Sequence, residues 1–164
     1  MKQYLTKKNI TVVMVLYICI VFINSLRFKF TNDPETQHIF GTLDMWAANT
    51  FGFAGLFNPG GIFSAVVIGS AELVASTILL VGLFTARKVF VPIGAAIAAA
   101  IMTGAISFHL FTPLGVEVIR ADGQGDGGAL FIAACGIWLV SLALIWMNRQ
   151  FLPIEAFNTS GQHN

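Results

Sequence analysis

Glu72 lies inside the apolar stretch 62–84, and its chemistry is the hardest in the chain to assign to packing. A carboxylate near mid-bilayer costs several kcal/mol unless it is paired, protonated or hydrated. About ten residues separate it from the start of that stretch, a depth of about 15 Å along a helix. Helical spacing puts Ala65, Gly69, Glu72 and Ser76 on one face, so the carboxyl is predicted to point at protein rather than lipid. Two readings follow. It is a proton-handling, cofactor-positioning or ligand-binding group, or it is a structural hydrogen-bond partner of a neighbouring helix.

His109 falls near the end of a third apolar stretch, with Ser107 and Thr112 close by. An imidazole there can relay a proton, bind a carbonyl or simply be satisfied by interfacial water. His38 falls in a loop and His163 in the tail, so no metal site is predicted. Arg27 and Lys29 follow the first apolar stretch directly. They either snorkel to lipid head groups or supply a cation to Glu72 or to an anionic ligand. Asp122 and Asp126 stand among glycines without the spacing of an EF-hand loop, so capping and turn roles are expected of them. Cys19 and Cys135 belong to no CxxC pair and read as small buried hydrophobes.

The elements that position these groups follow from composition. Hydrophobic residues make up 56% of the 164 and charged residues only 10%. Soluble domains carry about 25% charged residues, so this chain cannot cover a water-facing surface. The apolar residues are blocked rather than alternating, and four segments approach the ~20 residues that span a bilayer as helix. They are 10–26, 62–84, 89–111 and 129–147. The predicted fold class is all-α: an integral membrane four-helix bundle in a single domain over 1–150, with a polar tail over 151–164. Lys7 and Lys8 before the first span imitate a signal peptide, but no small-x-small cleavage site follows, so the span is read as retained.

Orientation follows from the lysines and arginines of the short connections. With the N-terminus inside, the inner face holds Lys2, Lys7, Lys8, Arg87, Lys88 and Arg149, against Arg27, Lys29 and Arg120 outside. Both termini are therefore expected to be cytoplasmic, with Tyr4 and Trp146 as aromatic anchors at the inner interface. A tight link at 85–88 makes the second and third spans an antiparallel hairpin. The stripe Ala96, Ala100, Gly104 and Ser107 is predicted to be the close-packing face of the third span, and Gly69, Ser76 and Gly82 mark the second span as its neighbour. In the long outer connection 27–61, Asp33, Pro34 and Glu35 predict the start of a short interfacial helix with Ile39, Phe40, Leu43 and Trp46 on one face. It lies on the outer interface or folds over the bundle. Asp126 is expected to cap the fourth span.

This topology brings Arg27, Lys29, His109 and Asp126 into one outer layer with Glu72 beneath it. The candidate site is a cavity open outward, with Glu72 and His109 for proton handling and Arg27, Lys29, Glu72, His109 and Asp126 for ligand binding.

The run Gly69-Ser70-Ala71-Glu72-Leu73, continuing through Leu79-Leu80-Val81-Gly82-Leu83 to Arg87, resembles the second-helix signature of the DoxX-like family. The run His109-Leu110-Phe111-Thr112-Pro113-Leu114-Gly115, followed by Asp126-Gly127-Gly128 and Leu130-Phe131, resembles that family's third-to-fourth helix region. The resemblance covers about 26–146. Two departures stand out: Asn24-Ser25-Leu26-Arg27-Phe28-Lys29 replaces the usual Gly-x-x-Lys ending of the first span, and the outer connection is long. The resemblance implies a bacterial inner-membrane protein of four helices. Some relatives are linked with quinone-dependent sulfur oxidation as DoxD-like membrane subunits, others with oxidoreductase complexes that answer oxidative stress.

Three functions are compatible with these readings. The first is a membrane subunit of a redox system that touches quinone and takes electrons from a partner oxidoreductase subunit, since no haem, flavin, iron–sulfur or nicotinamide motif is present. The second is a small proton-coupled transporter, for which four helices imply a homo-oligomer. The third is a membrane scaffold without chemistry. The net charge of +1 gives no footprint for nucleic acid.

Overall fold

The computed structural model describes residues 6–119 and 123–152. Lys2, Tyr4, Arg120, Asp122, His163 and the tail from 153 onward lie outside the described residues. Among those described, the chain is helical with one isolated bridge, Ile119 to Gly125. Four helices are long and apolar enough to cross a membrane: α1 (Lys7–Phe30), α3 (Ala65–Phe84), α4 (Phe90–Phe111) and α5 (Ala129–Asn148). Between the first two lies α2 (Pro34–Phe51). The chain is a multi-pass integral membrane protein.

The run Thr11-Val12-Val13 and the later Ile18, Ile20, Val21 and Ile23 make α1 a poor helix former in water. In hydrocarbon every backbone N–H and C=O needs an internal partner, and a helix provides one within the segment. Several side-chain hydroxyls are satisfied within their own helix as well, whereas the buried Ser76 and Ser141 Oγ atoms have no partner among the described residues. Ser70 and Thr77 on the lipid-facing side of α3 donate to Val66 and Leu73 carbonyls at 2.7 and 2.8 Å.

The spanning helices form a closed ring: α1 packs on α3, α3 on α4, α4 on α5, and α5 returns to α1. Val15, Ile18, Phe22, Leu79, Ile137 and Leu144 fill its centre. At the end where α3 turns into α4 the backbones nearly touch. A Cβ on Gly82 would lie 2.7 Å from the Val91 nitrogen, and one on Gly94 would lie 3.0 Å from that of Leu79. Lys88 closes this hairpin end by donating to the Thr85 carbonyl at 2.8 Å, where the last carbonyls of α3 lack helical partners.

The small-residue stripe expected to make the helix contact of α4 does not. Ala96 and Ala100 are exposed, and a Cβ on Gly104 would meet nothing within 4 Å. The buried face is instead Gly94, Ala95, Ala98, Ala99 and Met102. Alanine and glycine occur almost all round this helix, so residue size alone does not mark its packing side; contact with Leu79 and Ala75 does.

α2 begins as expected, with Asp33 accepting from the Glu35 N–H at 3.0 Å and Pro34 in the first turn. It ends at Gly52, whose φ of 75° is the left-handed cap that glycine adopts without strain. Of the two placements open to it, the helix folds over the bundle. Leu43 and Ala47 pack with Phe57, Leu114 and Val118 in a second small core, against Ile39, Phe40, Trp46 and Phe108. Asp44 fastens this lid: its carboxylate, 8% exposed, accepts the Phe57 and Gly55 N–H groups at 3.0 and 3.1 Å. The bundle therefore has an open-loop end roofed by α2 and a tight hairpin end.

Candidate functional site

Glu72 is the eighth residue of α3, which starts at Ala65 rather than at the predicted 62. The carboxyl thus lies about 10 Å along the helix, shallower than the apolar run implied. The face Ala65, Gly69, Glu72 and Ser76 is buried, as helical spacing requires. Glu72 itself is 3% exposed.

Its partner comes from α1. That helix continues to Phe30, about one turn beyond the predicted end, and so carries Lys29 on rigid structure above the carboxylate. Lys29 Nζ donates to Glu72 Oε2 at 2.9 Å and to Oε1 at 3.0 Å. Ser25, one turn earlier on α1, donates to Oε2 at 2.7 Å and accepts from Lys29 at 3.0 Å. Gly69 makes room for this approach, since a Cβ there would lie 3.0 Å from the Phe30 ring and 3.5 Å from Lys29 Cβ. Arg27 takes no part. It is exposed, with its guanidinium 4.4 Å from the centroid of the Phe28 ring, and no ion pair or hydrogen bond joins it to Glu72.

His109 stands near the last turn of α4, 7% exposed. Its Nδ1 lies 2.7 Å from the Gly115 carbonyl oxygen. A carbonyl only accepts, so Nδ1 carries a proton, and in the neutral form of the ring Nε2 is the bare lone pair. Gly115 sits at φ 72°, a left-handed conformation that glycine adopts without strain. The edge of the ring meets Phe131 of α5 at 5.6 Å between centroids. Nε2 makes no hydrogen bond among the described residues.

Both groups line one cavity of about 380 Å³ inside the bundle. Ser25, Lys29 and Glu72 form one polar wall and His109 another; Phe22, Met102 and Ile137 are among the apolar walls between them. Phe40, Leu43, Phe57, Phe108 and Leu114 roof it, held in part by the edge-to-face contact of Phe57 and Phe108 at 5.3 Å. A smaller vestibule of about 290 Å³ lies beside it at the loop end, with Asn32, Gln37, Asn58 and Ser64 as polar groups in a mainly apolar lining. Lys29, Phe40 and Phe57 are common to both.

Asp126 does not line the cavity; it organises the loop behind His109. Oδ1 accepts the Val118 and Gly128 N–H groups, both at 2.9 Å, and Oδ2 accepts that of Leu130 at 3.0 Å. Burial raises the affinity of this carboxyl for a proton. The three N–H donors, together with a smaller electrostatic contribution from the nearby His109 imidazole, outweigh it, leaving Asp126 below its ordinary value of 3.8. The stabilisation is therefore complete above that pH and is lost as pH falls through the folded value. Asp126→Asn is expected to cost about 1 kcal/mol near pH 7, because its NH2 turns a donor toward N–H groups. It is also expected to flatten the acid limb below about pH 4. Unfolding midpoints in detergent at neutral and acid pH check both; an acid limb identical to wild type would assign the pH response elsewhere.

No grouping of three or more histidine, cysteine, aspartate or glutamate side chains able to hold a metal occurs among the described residues. Sequence reasoning placed Glu72, His109 and Lys29 near one cavity but missed Ser25 and Asp44. Ser25 was hidden by its place in an apolar run, although it lies one turn before Lys29. Asp44 had no signal beyond being an acid on an otherwise apolar helix face. No family model, no curated protein and no solved structure matches the chain.

Proposed function

We propose that this protein is a subunit of a bacterial inner-membrane redox system that binds a quinol-type head group in its bundle cavity, with both termini cytoplasmic and the α2 roof outside. The observation that carries this reading is the pairing, in one mostly apolar intramembrane cavity, of a neutralised Lys29–Glu72–Ser25 cluster with a histidine whose Nε2 is unengaged. Such a cavity suits an uncharged ring bearing hydroxyls. Nε2 of His109 accepts a head-group hydroxyl, and exchanges a proton with it when the ring changes oxidation state. Electrons pass to or from a partner subunit that carries a redox centre, because this chain has no motif for one. The DoxX-like resemblance supports the same class. The excess of lysine and arginine at the hairpin and terminal side supports the orientation.

The size of the cavity is adequate. A dry protein cavity of about 150 Å³ takes up benzene, so about 380 Å³ accommodates a substituted ring.

Binding of a tail-less dimethoxy-methyl benzoquinol to the purified protein tests the reading. His109→Asn keeps a donor near the Nδ1 position and removes Nε2, whereas His109→Gln places a polar group near Nε2. His109→Asn is expected to weaken binding about tenfold, one hydrogen bond's worth of affinity, and His109→Gln less. No binding to wild type, or equal affinity for all three proteins, would remove the quinol reading.

A further inference from the structure

The geometry points to a lateral portal between α3 and α4 through which the cavity takes an amphiphile from the bilayer, head group first, with its tail left in lipid. This rests on the head-group reading of the cavity and adds the class of ligand and its route.

The edges of the portal are small residues. Ala100 is exposed and Gly104 has open space where a side chain would be, yet both line the cavity together with Ile68 and Phe63. Phe63 is 44% exposed. On the helical wheel of α4, Ala100 and Gly104 lie off the buried stripe, about 120° and about 80° round from Gly94, which meets α3. They can border an interior cavity only where α3 stands away from them. Where glycines bring the two helices into close approach, they do so in the hairpin half, at Gly82 against Val91 and Gly94 against Leu79. Toward the loop end, Gly69 faces α1 and Gly104 faces nothing within 4 Å.

Depth decides what fills the opening. Gly104 lies about seven residues from the end of α4, so about 10 Å along its axis. In a hydrocarbon core of about 30 Å that is acyl chain, not water. His109 lines the cavity behind it, 7% exposed, and its Nε2 has no partner among the described residues. Lys29 and Glu72 cancel each other's charge, so the chamber favours an uncharged head. Its volume of about 380 Å³ holds a ring but not a long chain, and Leu43, Phe57 and Leu114 close it above. The tail must leave sideways. The occupant is an uncharged, hydroxyl-bearing ring on an apolar tail.

The protein in lipid nanodiscs, titrated with decyl benzoquinol and with its tail-less counterpart, tests this. Gly104→Leu and Ala100→Leu fill the opening without touching His109 or Glu72. Both are expected to weaken the decyl probe about tenfold, about 1.4 kcal/mol, and to leave the tail-less probe unchanged. Ala96→Leu, one turn deeper and outside the cavity lining, is expected to change neither. Unchanged decyl affinity in both portal variants, with the tail-less probe still binding, overturns the portal and leaves the head-group site standing. Equal loss of both probes overturns it as well, since the substitution then acts on the chamber. If Gly104→Leu changes the number of chains per disc, this face is a contact between copies and not a portal. Failure of the tail-less probe on wild type removes the head-group reading itself, and the portal with it.

Discussion

Lys29→Met is expected to destabilise the protein by about 3 kcal/mol, more than any other single side-chain truncation at the site. The reason is what it leaves behind. Glu72 has only 4% of its side chain exposed, and both oxygens rely on Lys29 within 3.0 Å. Without the ammonium, the carboxylate keeps only the Ser25 hydroxyl in a low-dielectric bundle. The converse substitution is milder. Glu72→Gln leaves a lysine on the last turn of α1, 18% exposed and within reach of the interface, and such a side chain can swing its charge outward. A cost of about 1 kcal/mol is expected. The double variant Lys29→Met with Glu72→Gln should recover about 2 kcal/mol of the summed losses, because it leaves no uncompensated charge buried. Reversible unfolding in mixed micelles measures all four proteins. Additive costs would mean that the ion pair does not couple α1 to α3.

That asymmetry also bears on function. A pair that mainly held helices together would tolerate any position in the core. Here it borders the cavity from the same height as the vestibule, and Lys29 is shared by both spaces. Glu72→Gln is therefore the variant to carry into quinol-linked reduction in native membranes, since it keeps the fold while removing the charge. Equal rates at equal protein level would confine Glu72 to structure.

Much of this was legible in the residues. Blocked apolar runs located four spanning helices because lipid removes the need for a polar face, so length and hydropathy suffice. Asp33-Pro34-Glu35 located the start of α2 because capping is a local interaction. The one-face placement of Glu72 followed from helical geometry alone. The identity of its cation did not. Arg27 and Lys29 differ by two residues, so they point about 200° apart on a helix, and choosing between them requires knowing that α1 continues past Leu26. The hydropathy of 10–26 stops there because Arg27 and Lys29 are charged, although the backbone runs on to Phe30. Gly104 shows the opposite failure. A small residue in a span marks either a close contact or a gap, and only the neighbouring helix distinguishes them.

The two kinds of glycine give the second large prediction. Gly82→Leu is expected to cost more than about 3 kcal/mol and Gly82→Ala about 2, beyond any gain in helix propensity. A Cβ there would lie 2.7 Å from the Val91 nitrogen and 3.0 Å from the Phe90 carbonyl carbon, and backbone cannot rotate out of the way. To relieve the clash α3 and α4 must separate, and the hairpin leaves them little slack because only Thr85 to Val89 connect them. Gly94→Ala should behave similarly, though more mildly, since the nearest atom is Cγ of Leu79 at 2.8 Å and a side chain can shift. Gly104→Ala runs the other way. With nothing within 4 Å, the added methyl meets no neighbour, and removal of a mid-helix glycine stabilises by about 0.5–1 kcal/mol. Measured unfolding free energies should therefore rank Gly104→Ala above wild type, then Gly94→Ala, then Gly82→Ala. If Gly82→Ala proved neutral while Gly104→Ala destabilised, the close packing of α4 would lie on its other face, and the opening into the cavity would be closed.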